Sequence, residues 1–404
     1  MAEAVGATGR VVGVQDEGRA GGAPAREPAE RRGPQQPARI EARWDGRRLF
    51  APALVDAALP DAGIFVGCTF DEALDHLGRS SVAAPIAHRI AATAAFAAAG
   101  HDAASRNDAG ADERAIAVET AQEHLTRLML DWPLLFGHQP RRERFAEMYR
   151  RLARVRDLRA AYELGGDLLD LVAVELLGGF FRAAREPTAL REFVDRARRG
   201  GTIGEALADL IEMGTSASER DAVPLLPALS AQEWVDELGG LPSPEFSRRP
   251  TLQGRPHETG ALARHAGSLL VRILLTNGHR IAARLFARVI DLSDCASRLR
   301  HPLAADMPVL LDAAPLGERA GLAWVDTARG VVIHALRLDG ERVAEYSIVG
   351  PTDWNFHPQG ALAVEGGGWD APSIDVARLR FTALVLSLDP GEGFGVVLKG
   401  ADEA

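Results

Sequence analysis

Arg79-Ser80-Ser81-Val82-Ala83-Ala84-Pro85-Ile86-Ala87-His88 is the stretch on which the reading of this 404-residue chain turns. It opens on polar residues, then passes through Pro85 into an apolar run that continues to Ala99 and stops at Gly100. Proline in a first turn and glycine past the last turn bracket a helix, so 85–99 is predicted helical. The alanines spread through it would let another helix approach closely. A histidine three residues into such a helix is a candidate site residue, either a hydrogen-bonded histidine at a helix start or a metal ligand.

Other short motifs follow the same order as the chain. Ala38-Arg39-Ile40-Glu41-Ala42-Arg43-Trp44 alternates apolar and charged residues, a strand pattern that ends at the hairpin turn Asp45-Gly46. Pro256-His257-Glu258-Thr259-Gly260-Ala261-Leu262-Ala263-Arg264 leads into a helix, with Glu258 and Arg264 expected to be structural. Arg329-Gly330 precedes the apolar run Val331-Val332-Ile333, Pro351-Thr352-Asp353-Trp354-Asn355 lies twenty residues further on, and Ser387-Leu388-Asp389-Pro390 comes near the end.

Helices are predicted over 112–132, 140–162, 166–184, 188–199, 203–213, 258–275 and 279–298. The first of these carries an apolar stripe of Val118, Ala121, Leu125, Leu128 and Trp132, and Pro133 is expected to stop it. Thr69 to Glu72 and Thr202 to Glu205 read as capping boxes. Beyond Pro302 the pattern turns to short strands, with Asp339-Gly340 as a hairpin turn between 331–338 and 342–349. Residues 1–37 are rich in Gly, Pro, Ala, Glu and Arg with almost no large apolar side chains, and are expected to be disordered. Residues 38–404 are expected to form one domain, α+β and mainly helical.

Composition narrows the function. Fifty-six acidic against 46 basic residues give a net charge of −10, which argues against nucleic-acid binding. Cys68 and Cys295 are the only cysteines, so no CxxC pair exists for zinc or an iron–sulfur cluster, and a reducing cytoplasm fits. The longest apolar region, Leu164 to Phe181, contains Asp167, Asp170 and Glu175 and makes a poor membrane span. A cytoplasmic protein without membrane insertion is expected.

The ordered motifs resemble the large subunit of the nickel–iron hydrogenases. In that family an R-x-C-G-x-C-x-x-x-H stretch and a C-terminal D-P-C-x-x-C supply four thiolates to the metals. Here Ser81 and Ala84 stand at the first pair and Gly391 and Phe394 at the second, while Arg79 and His88 keep the flanking letters. A scaffold that keeps its motifs and loses its thiols is similar to the HupK-type hydrogenase expression/formation proteins.

The resemblance implies a hydrogenase large-subunit-like fold and a non-enzymatic assembly factor. It implies a transient scaffold for the iron–dicyanocarbonyl unit during metallocentre assembly, with no permanently bound cofactor. The implied partners are the nickel–iron hydrogenase large subunit and its maturation proteins. By the same resemblance Arg329 and Thr352 would hold the cyanides, Glu41 would match a proton-relay carboxylate, and Glu123, His88 and Asp389 would line the site. Arg329 can equally be a buried fold-builder paired with Asp389 or Glu123. A degenerate hydrogenase with redox activity and a metal-free mimic of the large subunit remain as alternatives.

Overall fold

A computed structural model describes residues 38–56, 62–79, 83–102, 108–180, 185–215, 221–391 and 393–400. The N-terminal segment 1–37 lies outside these, and so does Ser81.

The hairpin read from Asp45-Gly46 is formed by β1 (Ala38–Trp44) and β2 (Arg48–Asp56), with Gly46 at φ +95. Asp45 fixes the turn by accepting from the backbone N–H groups of Arg47 and Arg48. Among the described residues the second half of the chain adds β3 (Leu311–Gly317), β4 (Ala320–Thr327), β5 (Gly330–Asp339), β6 (Arg342–Val349), β7 (Trp369–Asp370) and β8 (Phe394–Gly400). One sheet runs β3-β4-β5-β6, all antiparallel, with Asp339 opposite Arg342 across the expected turn. The other runs β7-β2-β1-β8, in which β8 lies parallel to β1. The last described strand therefore pairs along the first described one.

Helix Pro85–Ala98 packs mainly on the β3–β6 sheet, and also against helices Phe70–Arg79 and Ala109–Thr126, the close helix approach its alanines suggested. A Cβ at Gly321 would overlap the carbonyl of Ala95, so the missing side chain sets how closely helix and strand approach. Phe65, Leu77, Ile90 and Phe96 fill one side of this sheet with Val325, Val332 and Leu336, and Trp234 and Trp354 cover its other side with Leu322 and Ile333.

The remaining core surrounds helix Arg280–Arg300, which packs against Ala109–Thr126, Leu158–Asp170 and Ala261–His265. Several boundaries differ from the sequence reading. The span 140–162 breaks into Arg142–Arg154 and Leu158–Asp170, because Asp157 caps the second helix by accepting from Ala160 N at 2.8 Å. Pro133 does not end its helix. After a π-helical turn, Arg127–Asp131, it sits in the first turn of Trp132–Leu135, where its missing N–H needs no partner. The box at Thr69 and Glu72 is present in both directions. Thr202 is instead inside helix Gly201–Glu212, which starts from Gly200. Residues 380–388 belong to helix Ile374–Leu388. No described helix is long and apolar enough to cross a membrane.

Candidate functional site

Helix Ile374–Leu388 ends in a residue at φ +56, Asp389, and the chain then turns through Pro390 to Gly391 at φ +99. Aspartate tolerates the left-handed region better than most residues, and glycine adopts it freely. The turn aims the Asp389 carboxylate inward. Its Oδ1 accepts from Arg127 Nη2 at 2.8 Å and from the backbone N–H of Gly391 at 3.2 Å, while Arg288 Nη1 lies 2.9 Å from Oδ2. Arg127 Nη2 also donates to the carbonyl of Gly391 at 2.7 Å, and its Nη1 reaches Asp131 at 2.5 Å. Burial alone would raise the pKa of Asp389, but Arg127 and Arg288 hold it well below the ordinary carboxylate range.

Gly391 is one of the two positions where the family carries its second pair of thiols. A Cβ there would lie 3.0 Å from Nη1 of Arg329 and would have to adopt the left-handed φ. Ala84, at a first-pair position, is also left-handed at φ +58 and precedes helix Pro85–Ala98. The chain thus lacks sulfur at both positions and holds its backbone at each in a conformation side chains disfavour. Among the described residues no group of three or more His, Cys, Asp or Glu is arranged to hold a metal ion.

Arg329 arrives on the tight turn between β4 and β5. Thr327 Oγ1 accepts from the backbone N–H groups of Arg329 and Gly330, and a Cβ at Gly330 would overlap Thr259. Asn355 ties this turn to the rest of the site. Its Oδ1 accepts from Thr259 N at 2.9 Å, and its Nδ2 lies 3.4 Å from the carbonyls of Arg329 and Leu388. The Arg329 residue is 9% exposed, yet among the described residues its Nε has no hydrogen-bond partner. Its side-chain contacts are long ones, Nη1 to Thr352 Oγ1 at 3.4 Å and Nε to Glu123 Oε2 at 4.0 Å.

The pairing of Arg329 with Asp389 left open by the sequence is therefore not the one formed. Arg127 and Arg288 have that carboxylate, and Arg329 faces Glu123. Burial pushes the Glu123 carboxyl up to about 7, opposed by Arg329 and assisted by Asp389 and Glu119. Asp353, next to Thr352, is likewise raised to about 7 by burial, against the Gly350 N–H that it accepts at 3.0 Å and the pull of Arg329.

His88 does not face the loop as a free ligand. Its Nδ1 lies 2.9 Å from Nε2 of His334, whose Nδ1 lies 2.8 Å from the hydroxyl of Tyr346. Burial, with Arg329 adding repulsion, lowers its pKa to about 3 and keeps it neutral. The start of its helix is held by Glu119, whose two carboxylate oxygens each accept at 2.8 Å from the N–H groups of Ile86 and Ala87. Glu41 is not part of this cluster among the described contacts. It pairs with Lys399 at 2.6 Å and with Arg39, bridging β1 and β8.

Arg329, Thr352, Glu123 and Asp389 lie near one another in the fold. Arg127, Arg288, Glu119 and Asp353 complete the cluster and were not singled out from sequence. Arg280, Arg284 and Arg288 recur every fourth residue along the otherwise apolar first half of helix Arg280–Arg300, a legible sign of one buried charged face. The first two meet Glu258 and Glu365 beneath the site. Arg264, also expected to be structural, grips Asp291 together with His124 and His265.

The architecture is that of a nickel–iron hydrogenase large subunit. It is similar to the reduced, active Ni-Fe-Se hydrogenase of Desulfomicrobium baculatum, with a TM-score of 0.59, 14% identity, and coverage of 86% of this chain and 94% of that one. The reduced Ni-Fe-Se hydrogenase of D. vulgaris Hildenborough gives a TM-score of 0.57 at 14% identity over 85% of this chain and 93% of that one. In sequence the chain is 30% identical over 273 residues to the hydrogenase expression/formation protein HoxV of Cupriavidus necator, covering 62% of this chain and 68% of that protein. It is 34% identical over 164 residues to the hydrogenase expression/formation protein HupK of Bradyrhizobium diazoefficiens, covering 39% of this chain and 43% of that protein. No family model matches. The chain belongs to the hydrogenase expression/formation protein family of HoxV and HupK.

Proposed function

We propose that this protein is a non-enzymatic assembly factor of nickel–iron hydrogenase maturation, a transient carrier for the iron–dicyanocarbonyl unit on its way to the large subunit. The observation that carries the reading is Arg329, a nearly buried guanidinium with an unpartnered Nε beside the hydroxyl of Thr352. A cyanide on iron is an anionic acceptor, and a charged donor next to a neutral one in a dry setting suits it.

Nickel chemistry has no such support, since Ala84, Gly391 and Phe394 offer no soft donor and Ser81 brings only a hydroxyl. The relatives' names, expression/formation proteins, accord with an accessory role beside the hydrogenase and its maturation proteins. The cytoplasm, where no disulfide is demanded of Cys68 and Cys295, is the compartment that fits.

One observation favours a second reading, a metal-free mimic of the large subunit. The cavity bordered by Arg288, Arg329, Asn355 and Ser387 is about 10 Å³, room for a single water. The infrared spectrum of protein purified from its own host, with iron and nickel analysis, separates the two. The carrier shows cyanide and carbonyl stretching bands with iron and without stoichiometric nickel. The mimic shows neither bands nor iron, and nickel with hydrogen uptake would contradict both readings.

A further inference from the structure

In its present contacts Arg329 is not committed. Its Nε has no partner among the described residues, its contact with Thr352 is long at 3.4 Å, and the carboxylate oxygen of Glu123 stands off at 4.0 Å. A charge-assisted hydrogen bond to that oxygen needs an approach of about 1 Å, which one side-chain adjustment supplies. Asp353 follows Thr352 directly, and its Oδ2 accepts from the Gly350 N–H at 3.0 Å. The guanidinium thus stands beside the Glu123 carboxyl and the Thr352 hydroxyl that marks the proposed anion position, with Asp353 the next residue along.

We infer that Glu123 and Asp353 form a proton-controlled gate on Arg329: in their neutral forms they leave the guanidinium to the anionic cargo, and on losing their protons they take it over and release that cargo. The inference rests on the carrier reading above and gives it a release step. Each carboxyl gives its proton to solvent, no covalent bond changes, and the departing anion is replaced at Arg329 by carboxylate oxygen.

The other charged groups around the gate have partners of their own. Glu123 faces Arg329, Asp389, Glu119 and Arg127. Asp389 is locked by Arg127 and Arg288 and stays ionised. Arg127 is further pinned by Asp131. His88 stays neutral, held by His334. Glu119 is raised by burial but clamped by two backbone N–H groups at the start of the helix that carries His88. Asp353 faces Arg329 and the Gly350 N–H. Glu123 and Asp353, whose carboxyls are both brought to about 7, are the two that reach toward Arg329 without a compensating pair. Reciprocity then requires that binding an anion at Arg329 take up protons, and that affinity fall as pH rises.

The test uses the full chain purified with its cargo from its own host. Samples are exchanged into buffers at about pH 6 and about pH 8.5, passed through gel filtration, and the infrared cyanide bands are measured per chain. Wild-type protein should retain roughly tenfold less at the higher pH, the response expected for about one unit of proton linkage. Glu123→Gln with Asp353→Asn should retain its bands equally at both. Should the double variant fold poorly, Glu123→Gln alone, with the Asp353 cap intact, should show a visibly shallower pH response. Bands that persist in wild-type protein regardless of pH overturn the gate and leave the carrier standing, as does a pH response unchanged in the variants. Bands absent at every pH overturn the carrier and the gate with it.

Discussion

Two of the buried groups of charges among the described residues are satisfied very differently. Below the site, Glu258 and Glu365 face Arg280 and Arg284. Glu258 Oε1 accepts from Arg284 Nε at 2.7 Å, its Oε2 accepts from Arg280 at 2.6 Å and from Arg284 at 2.8 Å, and Glu365 accepts from both arginines. All four residues are nearly inaccessible. Around Arg329, by contrast, the nearest carboxylate is 4.0 Å away and a guanidinium nitrogen is left over. A closed network holds structure in place. An open one fits the ligand position proposed above.

The largest effect should come from breaking the closed network. Glu258→Ala leaves two buried guanidinium groups sharing Glu365 alone and should lower unfolding free energy by about 3–5 kcal/mol, read by denaturant titration. A loss below about 1 kcal/mol would show that the network relaxes and would erase the contrast.

Gly391→Cys tests the idea that the thiol position was lost in the backbone as well as the side chain. The new Cβ meets Arg329 Nη1 and sits at φ +99. Destabilisation of about 1–3 kcal/mol is expected, with no gain of nickel. An unchanged melting temperature would show that the loop adapts freely.

The two groups should also respond oppositely to pH. Burial raises Glu258, but Arg284 and Arg280 outweigh it and bring it to about 2. Its contribution is present above its unfolded value, about 4.3, and is lost as pH falls from there toward 2. Glu123 and Asp353 are raised to about 7. The folded protein then keeps protons that the unfolded chain has already released, so their contribution is complete below about pH 4 and is lost as pH rises through about 7. Melting temperature should therefore decline from about pH 5 to 8, and Glu123→Gln with Asp353→Asn should flatten that decline. A slope unaffected by the substitutions would place the titration elsewhere.

The smallest effect belongs to Ala84. At φ +58 it occupies a region that glycine enters without strain. Ala84→Gly should stabilise the protein by up to about 1 kcal/mol, since relief of strain exceeds the added chain entropy. A loss of similar size would mean that the left-handed turn costs little here.

Local signals in the sequence were the reliable ones. Asp45-Gly46, Asp339-Gly340 and the Thr69–Glu72 box act within four residues, and each is found in place. The box at Thr202 failed because Gly200 and Gly201 approach the chain at Leu176 and Leu177 too closely for side chains and start the helix earlier. The split at Asp157 was hidden because residues on both sides are amphipathic and the cap is a single residue. Strand β8 escaped notice because its partner is more than 350 residues away, and nothing in Phe394–Gly400 names Ala38–Trp44. In the site, the motifs supplied Arg329, Thr352, Glu123 and Asp389, which the fold places near one another. Whether Arg329 or Arg288 would claim Asp389 depended on helix packing that no motif encodes. Glu41 shows the opposite error, a motif match whose side chain is engaged by Lys399 within a sheet.

The central claim is that Arg329 is held for a ligand and not for the fold, and Arg329→Leu addresses it most directly. Wild-type and variant protein, both purified from the host, are compared by thermal unfolding and by the infrared cyanide bands. Removing a guanidinium that lacks a full partner should change stability by no more than about 1 kcal/mol, since no buried counter-charge is abandoned. The cyanide bands should disappear from the variant. A variant that keeps its bands, or that unfolds as readily as Glu258→Ala, would contradict the account and make Arg329 one more structural charge.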